Sequence, residues 1–140
     1  MHVLVCEHPP TITRSRRALK NSNLLSSESN LKKEGIHLCD AERGGDITFH
    51  GPGQIIFYPI LDLNKLSLKL DSYLRKLEEV TINSLKDFNI EGIVDSSATG
   101  VWVKKDKQQL EKICAIGIRA SRWVSMHGFA LNVNTNLNYF

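Results

Sequence analysis

The chain has 140 residues, 41% of them hydrophobic and 24% charged, and a formal net charge of +3 at pH 7. These values are typical of a single globular domain with its own core, and the charge is too small to indicate a nucleic-acid-binding protein. Because no apolar run has the length of a membrane span and the first residues lack a signal-peptide pattern, we expect a protein of the cytoplasm, or of an organelle matrix in a eukaryote.

The first half is predicted to contain three strands and one short helix. Met1 to Glu7 is typical of a strand, and a polar stretch follows from His8 to Asn23. Ser26 or Ser27 is a suitable N-cap for a helix that ends at Glu34, with Gly35 just after it. The two further predicted strands are Ile36–Cys39 and Gln54–Leu63.

One long helix is predicted in the middle of the chain, from Asp71 to about Phe88, with Asp71 as its N-cap. Apolar residues recur there at helical spacing and are expected to face the core: Leu74, Leu77, Val80 or Thr81, Leu85 and Phe88. The opposite face is expected to be solvated and carries Arg75, Lys76, Glu78, Glu79 and Lys86.

The second half is predicted to be β-structure. Its expected strands and turns are, in chain order, Ile90–Val94, Gly100–Val103, a charged connection over Lys104–Glu111, Ile113–Arg119, a turn near Ser121 and Arg122, and His127–Val133. Because strands outnumber helices, we predict an α+β fold with a mixed, mostly antiparallel sheet and flanking helices.

The segment from Arg43 to Gln54, RGGDITFHGPGQ, is the strongest candidate for a ligand site. Its four glycines and one proline are costly in a regular helix or strand, so we predict a loop. Its arginine, threonine, histidine and glutamine are suited to contact a ligand that the backbone approaches closely. The segment matches neither the Walker loop nor the dinucleotide-binding fingerprint. The alternative is a decorated turn between two strands.

Lys112 precedes the apolar segment ICAIG, which is expected to be a buried strand. An exposed lysine at a strand end is one interpretation. The other is a lysine beside a reacting thiol, acting either as a neutral base after a fall of about three units in its pKa or as an ammonium that stabilises the thiolate. In the segment from His127 to Asn132, HGFALN, small residues alternate on one strand face, which leaves room for a ligand or for close backbone packing.

The three cysteines, Cys6, Cys39 and Cys114, are expected to be reduced thiols that pack as small hydrophobic side chains. Cys6 with His8, and His37 with Cys39, also place two pairs of zinc-ligand types on strands. Their spacing matches no common zinc motif, so we predict no metal site.

Basic residues cluster at Arg14, Arg16, Arg17 and Lys20, and again at Lys104, Lys105 and Lys107. We interpret both clusters as solvated loops, and docking of an acidic carrier protein is the alternative. No internal repeat or low-complexity tract accompanies them.

Four motifs, RGGDITFHGPGQIIFYPILDL, GVWV, KICAIGIRASRW and MHGFALNVN, together resemble the octanoyltransferases of lipoic acid synthesis, the lipoyl(octanoyl) transferases. The resemblance runs from Glu7 to the end of the chain. It implies the catalytic fold of the biotin and lipoate protein ligases and a monomeric acyltransferase without a cofactor. The implied reaction moves an octanoyl group from octanoyl-acyl carrier protein, through a cysteine thioester, to a lysine on a lipoyl domain of a 2-oxoacid dehydrogenase or on the glycine cleavage H protein.

The resemblance also assigns site residues by position. Lys112 matches the lysine that tunes the catalytic cysteine of the family. The substrate-binding residues that it implies are Arg43, Gly44, Gly45, Asp46, Ile47, Thr48, Phe49, His50, Ala115, Ile116, Gly117, Gly128, Phe129 and Ala130.

Two departures from the family pattern are visible. Ser15 stands where the family usually has a glycine, so the geometry of that loop is expected to differ. The family's nucleophile lies in a Pro-Cys-Gly segment soon after the HGFALNVN strand, and by spacing it falls a few residues beyond Phe140. We therefore expect residues 1–140 to form a single acyltransferase domain that is incomplete at its C-terminus, and we do not expect Cys114 to be the nucleophile.

Two other functions fit the same residues. An ATP-dependent lipoate or biotin ligase on the same fold needs no cysteine, although its loop normally carries an extra glycine and a different flank. The second is a chain of this length that binds acyl groups or acyl carrier protein without transferring them.

Overall fold

The computed structural model of the protein describes residues 1–15, 18, 23–106 and 109–140. In chain order its elements are β1 (His2–Cys6), β2 (Thr11–Arg14), α1 (Glu28–Lys33), β3 (His37–Asp40), β4 (Ile47–His50), β5 (Gln54–Ile60), α2 (Leu70–Lys86), β6 (Ile93–Asp95), β7 (Ala98–Lys104), β8 (Leu110–Ser121) and β9 (Val124–Asn132), with a 3-10 turn at Leu137–Tyr139. Four members of the basic clusters, Arg16, Arg17, Lys20 and Lys107, lie outside the described residues.

Six strands form the larger sheet, in the order β1-β5-β9-β8-β7-β6, and every neighbouring pair is antiparallel. The long strands β8 and β9 form a hairpin at its centre. Arg122 and Trp123 make the turn between them, with φ of 49° and 63°. Positive φ at both central residues is typical of the type I′ turn, whose twist matches that of an antiparallel hairpin. The predicted turn is confirmed.

The second sheet has three strands and is mixed, because β2 runs parallel to β3 and antiparallel to β4. β2 lies in the predicted polar stretch and β4 lies within the predicted glycine-rich loop, so both predictions are wrong at these positions. Ile12 of β2 and Phe49 of β4 are buried in a common apolar cluster, and this burial outweighs the polar and glycine-rich neighbours. The predicted α+β class with a mixed, mostly antiparallel sheet is confirmed.

Helix α1 begins and ends where the sequence predicts. The Ser27 side chain accepts a hydrogen bond from the Asn30 backbone N–H at 3.3 Å, which is the expected N-cap. Gly35 follows the helix with φ of 70°. A residue with a Cβ is strained in that left-handed conformation, so the glycine has a direct structural cause.

Helix α2 covers the predicted segment but begins earlier, so that Lys69 takes the N-cap position and Asp71 lies in the first turn. The predicted N-cap at Asp71 is therefore wrong. Leu77 and Leu85 are buried, as predicted, whereas Phe88 lies beyond the helix and is 74% exposed. In the described part of the chain, no helix is both long enough and apolar enough to cross a membrane.

Glu78 is the residue of α2 whose burial differs most from the prediction. It is predicted on the solvated face but is only 1% exposed. Its Oε2 accepts a hydrogen bond from Arg75 Nη1 at 2.6 Å, and its Oε1 accepts one from the Gly100 backbone N–H of β7 at 3.3 Å. Because both carboxylate oxygens have donors, the burial does not leave an unsatisfied charge.

Among the residues that the structure describes, two apolar clusters, one for each sheet, form the interior. The larger lies between α2 and the six-stranded sheet, and its buried members are Leu63, Tyr73, Leu77, Leu85, Val101, Cys114, Ile116, Ile118 and Phe129. The smaller joins α1 to the three-stranded sheet, and its buried members are Ile12, Leu31, Ile36 and Phe49. Each sheet therefore has its own core.

All three cysteines are free thiols. Cys114 is buried, as predicted, whereas Cys6 is half-buried and Cys39 is exposed, so the expected burial of all three is wrong for Cys39. Its strand β3 forms one edge of the small sheet, and an edge strand has fewer neighbours to cover its side chains. Lys112 lies inside β8 rather than before the strand, because β8 begins at Leu110.

Candidate functional site

A cleft of about 500 Å³ lies between the two sheets. One wall comes from β2, β4 and the connection between β3 and β4, and the other from β5, β8 and β9. The structure places every site residue implied by the sequence on this cleft except Gly44 and Phe49. Three segments that are far apart in sequence, residues 43–50, 112–117 and 128–130, thus meet at one cleft.

Gly44 and Phe49 are positioned behind the cleft wall. The Gly44 backbone N–H donates to the Ile118 carbonyl of β8 at 3.0 Å, which ties the glycine-rich segment to the larger sheet. Phe49 is buried in the smaller cluster, and its ring stacks on Tyr139 with 4.7 Å between centroids. Both residues shape the wall, and neither lines the cleft.

Ser15, which replaces the family's usual glycine, is almost fully buried. Its hydroxyl donates to the Gly45 carbonyl at 2.8 Å and accepts from the Ala18 backbone N–H at 3.1 Å. The serine side chain therefore links the end of β2 to the glycine-rich segment.

Arg43 is held rigidly by neutral partners. Its Nη2 donates to the Thr13 carbonyl at 2.8 Å and to Thr13 Oγ1 at 2.7 Å, and its Nη1 donates to the Gly44 carbonyl at 3.0 Å. Burial lowers the pKa of Arg43 and the charge of Asp46 opposes that shift. A guanidinium stays charged in any protein environment, so the cleft contains a fixed positive charge.

His50, which lines the cleft, and His8, which lies behind it, belong to one polar cluster. His50 Nδ1 lies 2.7 Å from Gln54 Oε1, and His8 Nε2 lies 2.8 Å from the Tyr58 hydroxyl. The His8 and His50 ring centroids are 5.9 Å apart. Burial lowers the pKa of His50, the Gln54 bond opposes this shift, and His8 and Arg43 add to it. His50 is therefore neutral at pH 7.

We expect this histidine to make folding stability depend on pH. Since the folded pKa of His50 lies below that of the unfolded chain, the unfolded chain binds the proton first as pH falls below about 6.5. Stability is then full above that pH and declines below it, by at most about 1.4 kcal/mol per pH unit. Urea unfolding between pH 7.5 and 5.5 tests this, and His50→Asn should flatten the decline. Equal slopes in the two proteins would contradict it.

Lys112 extends from β8 into the cleft, and its Nζ lies 4.6 Å from the centroid of the Trp102 ring. Burial lowers the pKa of Lys112, and the negative charge of Asp95 opposes that shift. A ring face attracts an ammonium, so Trp102 favours the charged form. Among the described residues no carboxylate forms an ion pair with Nζ. The ammonium is therefore free to interact with a ligand.

None of the three cysteines, all of which the structure describes, lines the cleft. Cys114 is fully buried against α2, with its Sγ 3.8 Å from Thr81 Oγ1. Burial raises the pKa of the Cys114 thiol to about 12, and Thr81 and Lys112 oppose this only in part. A thiol that stays protonated and does not reach the cleft is not a nucleophile for a ligand there.

The backbone at His127 and Gly128 forms part of the cleft floor. His127 has φ of 61°, an uncommon value for a residue with a Cβ inside a strand. A Cβ at Gly128 would lie 2.0 Å from the Phe57 carbonyl oxygen of β5. The floor is thus made by a close approach of β9 to β5 that only glycine permits.

The two thiol–imidazole pairs considered for zinc remain apart in the fold. Cys6 Sγ and His8 Nε2 are 3.9 Å from each other, while His37 and Cys39 lie on β3 in the other sheet. Within the described ranges, no group of three or more His, Cys, Asp or Glu side chains is placed to hold a metal ion.

Several lining residues are missing from the sequence-based set. Ile56 and Tyr58 share a strand face with Gln54, so strand alternation from the glycine-rich motif was a usable signal. His127 and Asn132 bound the HGFALN motif and were equally accessible to prediction. Thr13, Ser97 and Thr99 carry no local signal, because their place on the cleft comes from tertiary packing.

Comparison with known proteins gives a consistent result. The family model described as the lipoyl protein ligase A/B catalytic domain matches residues 2–140. The octanoyltransferase of Flavobacterium psychrophilum is 49% identical over 139 residues, which is 99% of this chain and 60% of that protein. The octanoyltransferases of Porphyromonas gingivalis and Bacteroides fragilis are 49% and 46% identical, and this chain covers 28% and 62% of them. The chain thus spans less than two thirds of the length of these relatives.

Solved structures share the fold at low sequence identity. A bipartite lipoate protein ligase from Thermoplasma acidophilum matches with a TM-score of 0.75 and 18% identity, covering 96% of this chain and 50% of that one. P. falciparum LipL1 in complex with lipoate matches with a TM-score of 0.73 and 19% identity. The match covers 97% of this chain and 36% of that one. A lipoate-protein ligase A bound with ATP matches with a TM-score of 0.72 and 17% identity. The match covers 97% of this chain and 55% of that one. The predicted likeness to the ligase catalytic fold is confirmed.

Proposed function

The chain belongs to the lipoyl protein ligase A/B catalytic domain family, and on that premise we propose that it is the acyl-binding part of an octanoyltransferase. In the proposed reaction an octanoyl group moves from octanoyl-acyl carrier protein to a lysine of a lipoyl domain or of a glycine cleavage H protein. We propose further that residues 1–140 form one acyltransferase domain and that the protein is a cytoplasmic monomer. The identity to curated octanoyltransferases supports this activity over others in the family.

One observation carries the proposal: the cleft combines an apolar wall with a lysine ammonium that has no carboxylate partner among the described residues. Ile56, Ala115, Ile116, Phe129 and Ala130 supply apolar surface for an acyl chain. Burying the six methylenes of an octanoyl group contributes about 5 kcal/mol. Lys112, on the same cleft, is then near the reacting end of the chain.

We propose that the nucleophile is a cysteine outside these 140 residues, because the chain's own thiols do not line the cleft. Its thiolate attacks the thioester carbonyl of the octanoyl group, and the carrier's thiolate leaves with the electron pair of the broken C–S bond and takes up a proton. The Lys112 ammonium stabilises the attacking thiolate. The acceptor lysine amine then attacks the new thioester, and an amide and the free cysteine result.

The experiment that tests the proposal uses a polypeptide extended past Phe140 to the proposed cysteine. Incubated with octanoyl-acyl carrier protein and an apo-lipoyl domain, without ATP, it should add the mass of one octanoyl group to the acceptor lysine. The 140-residue chain alone should bind the acyl group and transfer none. Transfer by this shorter chain would contradict an external nucleophile.

An ATP-dependent lipoate ligase is the second candidate, favoured by the fold shared with a ligase bound with ATP. It requires free octanoate or lipoate with ATP and passes through an adenylate. Product that forms only under those conditions would replace the first proposal with this one.

Cys114 is expected to be dispensable for transfer. In the extended polypeptide, Cys114→Ala should leave the rate of thioester formation within about twofold, because the thiol is buried against α2 and stays protonated. The lost packing should cost about 1 kcal/mol of folding stability. Mass spectrometry of the acylated protein and a urea titration measure the two effects. Loss of acylation in a variant that still folds would make Cys114 the nucleophile.

A further inference from the structure

Gln54 links three strands beneath the cleft. It is the first residue of β5, is 1% exposed, and makes three polar contacts. Its Nε2 donates to the Phe49 carbonyl at 3.3 Å and to Asn132 Oδ1 at 2.8 Å, and its Oε1 lies 2.7 Å from His50 Nδ1. Both the amide nitrogen and the amide oxygen of Gln54 therefore have hydrogen-bond partners.

These contacts decide which His50 nitrogen carries the proton. The Phe49 carbonyl only accepts hydrogen bonds, so the Gln54 amide nitrogen must face it. The amide oxygen then faces His50 Nδ1 and also only accepts, so Nδ1 carries the hydrogen and donates it. In the neutral ring the other nitrogen, Nε2, has a lone pair and no hydrogen.

His50 Nε2 is available to a ligand. His50 lines the cleft, and Nε2 has no hydrogen-bond partner among the described residues. The titratable groups close to the His50 ring are His8 and Arg43. The His8 Nε2 is hydrogen-bonded to the Tyr58 hydroxyl, and the Arg43 guanidinium is hydrogen-bonded to Thr13. Neither competes for the free lone pair of His50.

We propose that Gln54 is a positioning residue that keeps His50 as a hydrogen-bond acceptor, and that His50 Nε2 takes a proton from the acceptor lysine amine during transfer. This inference rests on the proposed octanoyltransferase function. A neutral ring held with its hydrogen on Nδ1 donates nothing to the cleft, so it does not stabilise an oxyanion. The reacting end of an octanoyl thioester offers no N–H or O–H for such an acceptor, whereas the lysine amine does.

The acceptor lysine releases one proton to solvent and attacks the thioester carbonyl as a free amine, which forms the C–N bond and makes the nitrogen positive. His50 Nε2 takes the second proton from that nitrogen. The C–S bond breaks with its electron pair on sulfur, the thiolate remains beside the Lys112 ammonium, and the His50 imidazolium returns its proton to solvent.

The tautomer itself is tested on the 140-residue chain, without any activity. Long-range proton–nitrogen NMR correlations of the histidine-labelled protein at pH 7.5 should give His50 a protonated Nδ1 and an unprotonated Nε2. This is opposite to the tautomer that free histidine favours. A protonated Nε2 in the wild-type protein would overturn the inference.

The kinetic test separates the two half-reactions in the extended polypeptide. Gln54→Met keeps the length of the side chain and removes its acceptor, so His50 should become a mixture of tautomers. Transfer from the preformed octanoyl thioester to the apo-lipoyl domain should slow by at least about fivefold, because most rings then carry their hydrogen on Nε2, while thioester formation should change by less than about twofold. Gln109→Met, the same change at an exposed position, is the matched control and should alter neither rate.

The outcomes distinguish this inference from the proposed function. If the wild-type polypeptide forms no thioester from octanoyl-acyl carrier protein, the proposed function fails and the NMR tautomer still decides the role of Gln54. If thioester forms and Gln54→Met slows both half-reactions equally, the inference alone is wrong. If the variant does not fold, the NMR result on the wild-type chain decides.

Discussion

Replacing Lys112 with alanine is expected to slow thioester formation by at least about 10²-fold at pH 7, in the polypeptide that extends to the proposed cysteine. The thiolate is the reactive form of the nucleophile, and an ordinary cysteine is mostly protonated at this pH. The Lys112 ammonium shifts that equilibrium toward the thiolate. Rapid-quench mass spectrometry measures the rate of acylation. The deficit should shrink above pH 9, because the thiol then ionises without the lysine.

Lys112→Arg is the matched control, since it retains the positive charge but does not lose a proton. Burial lowers the pKa of Lys112, yet the Trp102 ring favours the ammonium, and we expect the ammonium to be the active form. The arginine variant should therefore keep a rate within about tenfold of the wild type. A loss as large as that of the alanine variant would indicate a neutral lysine base.

Gly128→Ala should cost the domain about 3 kcal/mol of unfolding free energy or more. The added Cβ would lie 2.0 Å from the Phe57 carbonyl oxygen and 2.8 Å from Pro59 Cδ, so β9 and β5 must separate next to their last pair, Phe57 and Phe129. Both strands also line the cleft, so acyl binding should weaken with stability. Urea titration of the 140-residue chain measures the first effect.

Gly35→Ala provides the comparison for backbone strain without a clash. Gly35 has φ of 70°, but a Cβ there meets no atom within 4 Å. Its replacement should therefore cost only about 1 kcal/mol. If the two variants lose similar amounts of stability, close approach at Gly128 is not what makes its glycine necessary.

Much of the candidate site could be predicted from the sequence because its residues lie in short motifs. Arg43 stands in a segment whose composition by itself predicts a ligand site, whereas the roles of Lys112 and Gly128 came from the resemblance to the octanoyltransferases, and the structure places all three residues on one cleft. The order of the strands was accessible only in outline. Hairpin neighbours such as β8 and β9 follow from a turn signal, whereas the pairing of β1 with β5 joins distant segments and has none.

The errors have a common physical origin in tertiary contacts. Glycine density around β4 predicts a loop, but Phe49 gains enough burial in the smaller cluster to form a strand. A charged residue on α2 predicts solvent exposure, but Glu78 finds donors on Arg75 and on β7. Ser97 and Thr99 reach the cleft only because β7 packs beside β8. Apart from Arg75, the residues that make these contacts are distant in sequence, so no local sequence pattern predicts them.

The separation of the interior into two clusters makes occupancy of the cleft a stabilising event for the whole molecule. If the proposed function holds, an acyl chain between the sheets would contact residues of both walls. Ligand binding and folding are then thermodynamically linked, and each further tenfold excess of ligand over its Kd adds about 1.4 kcal/mol to stability. An acyl chain bound in the cleft would therefore couple the unfolding of the two sheets, so the loaded chain should unfold in a single cooperative transition.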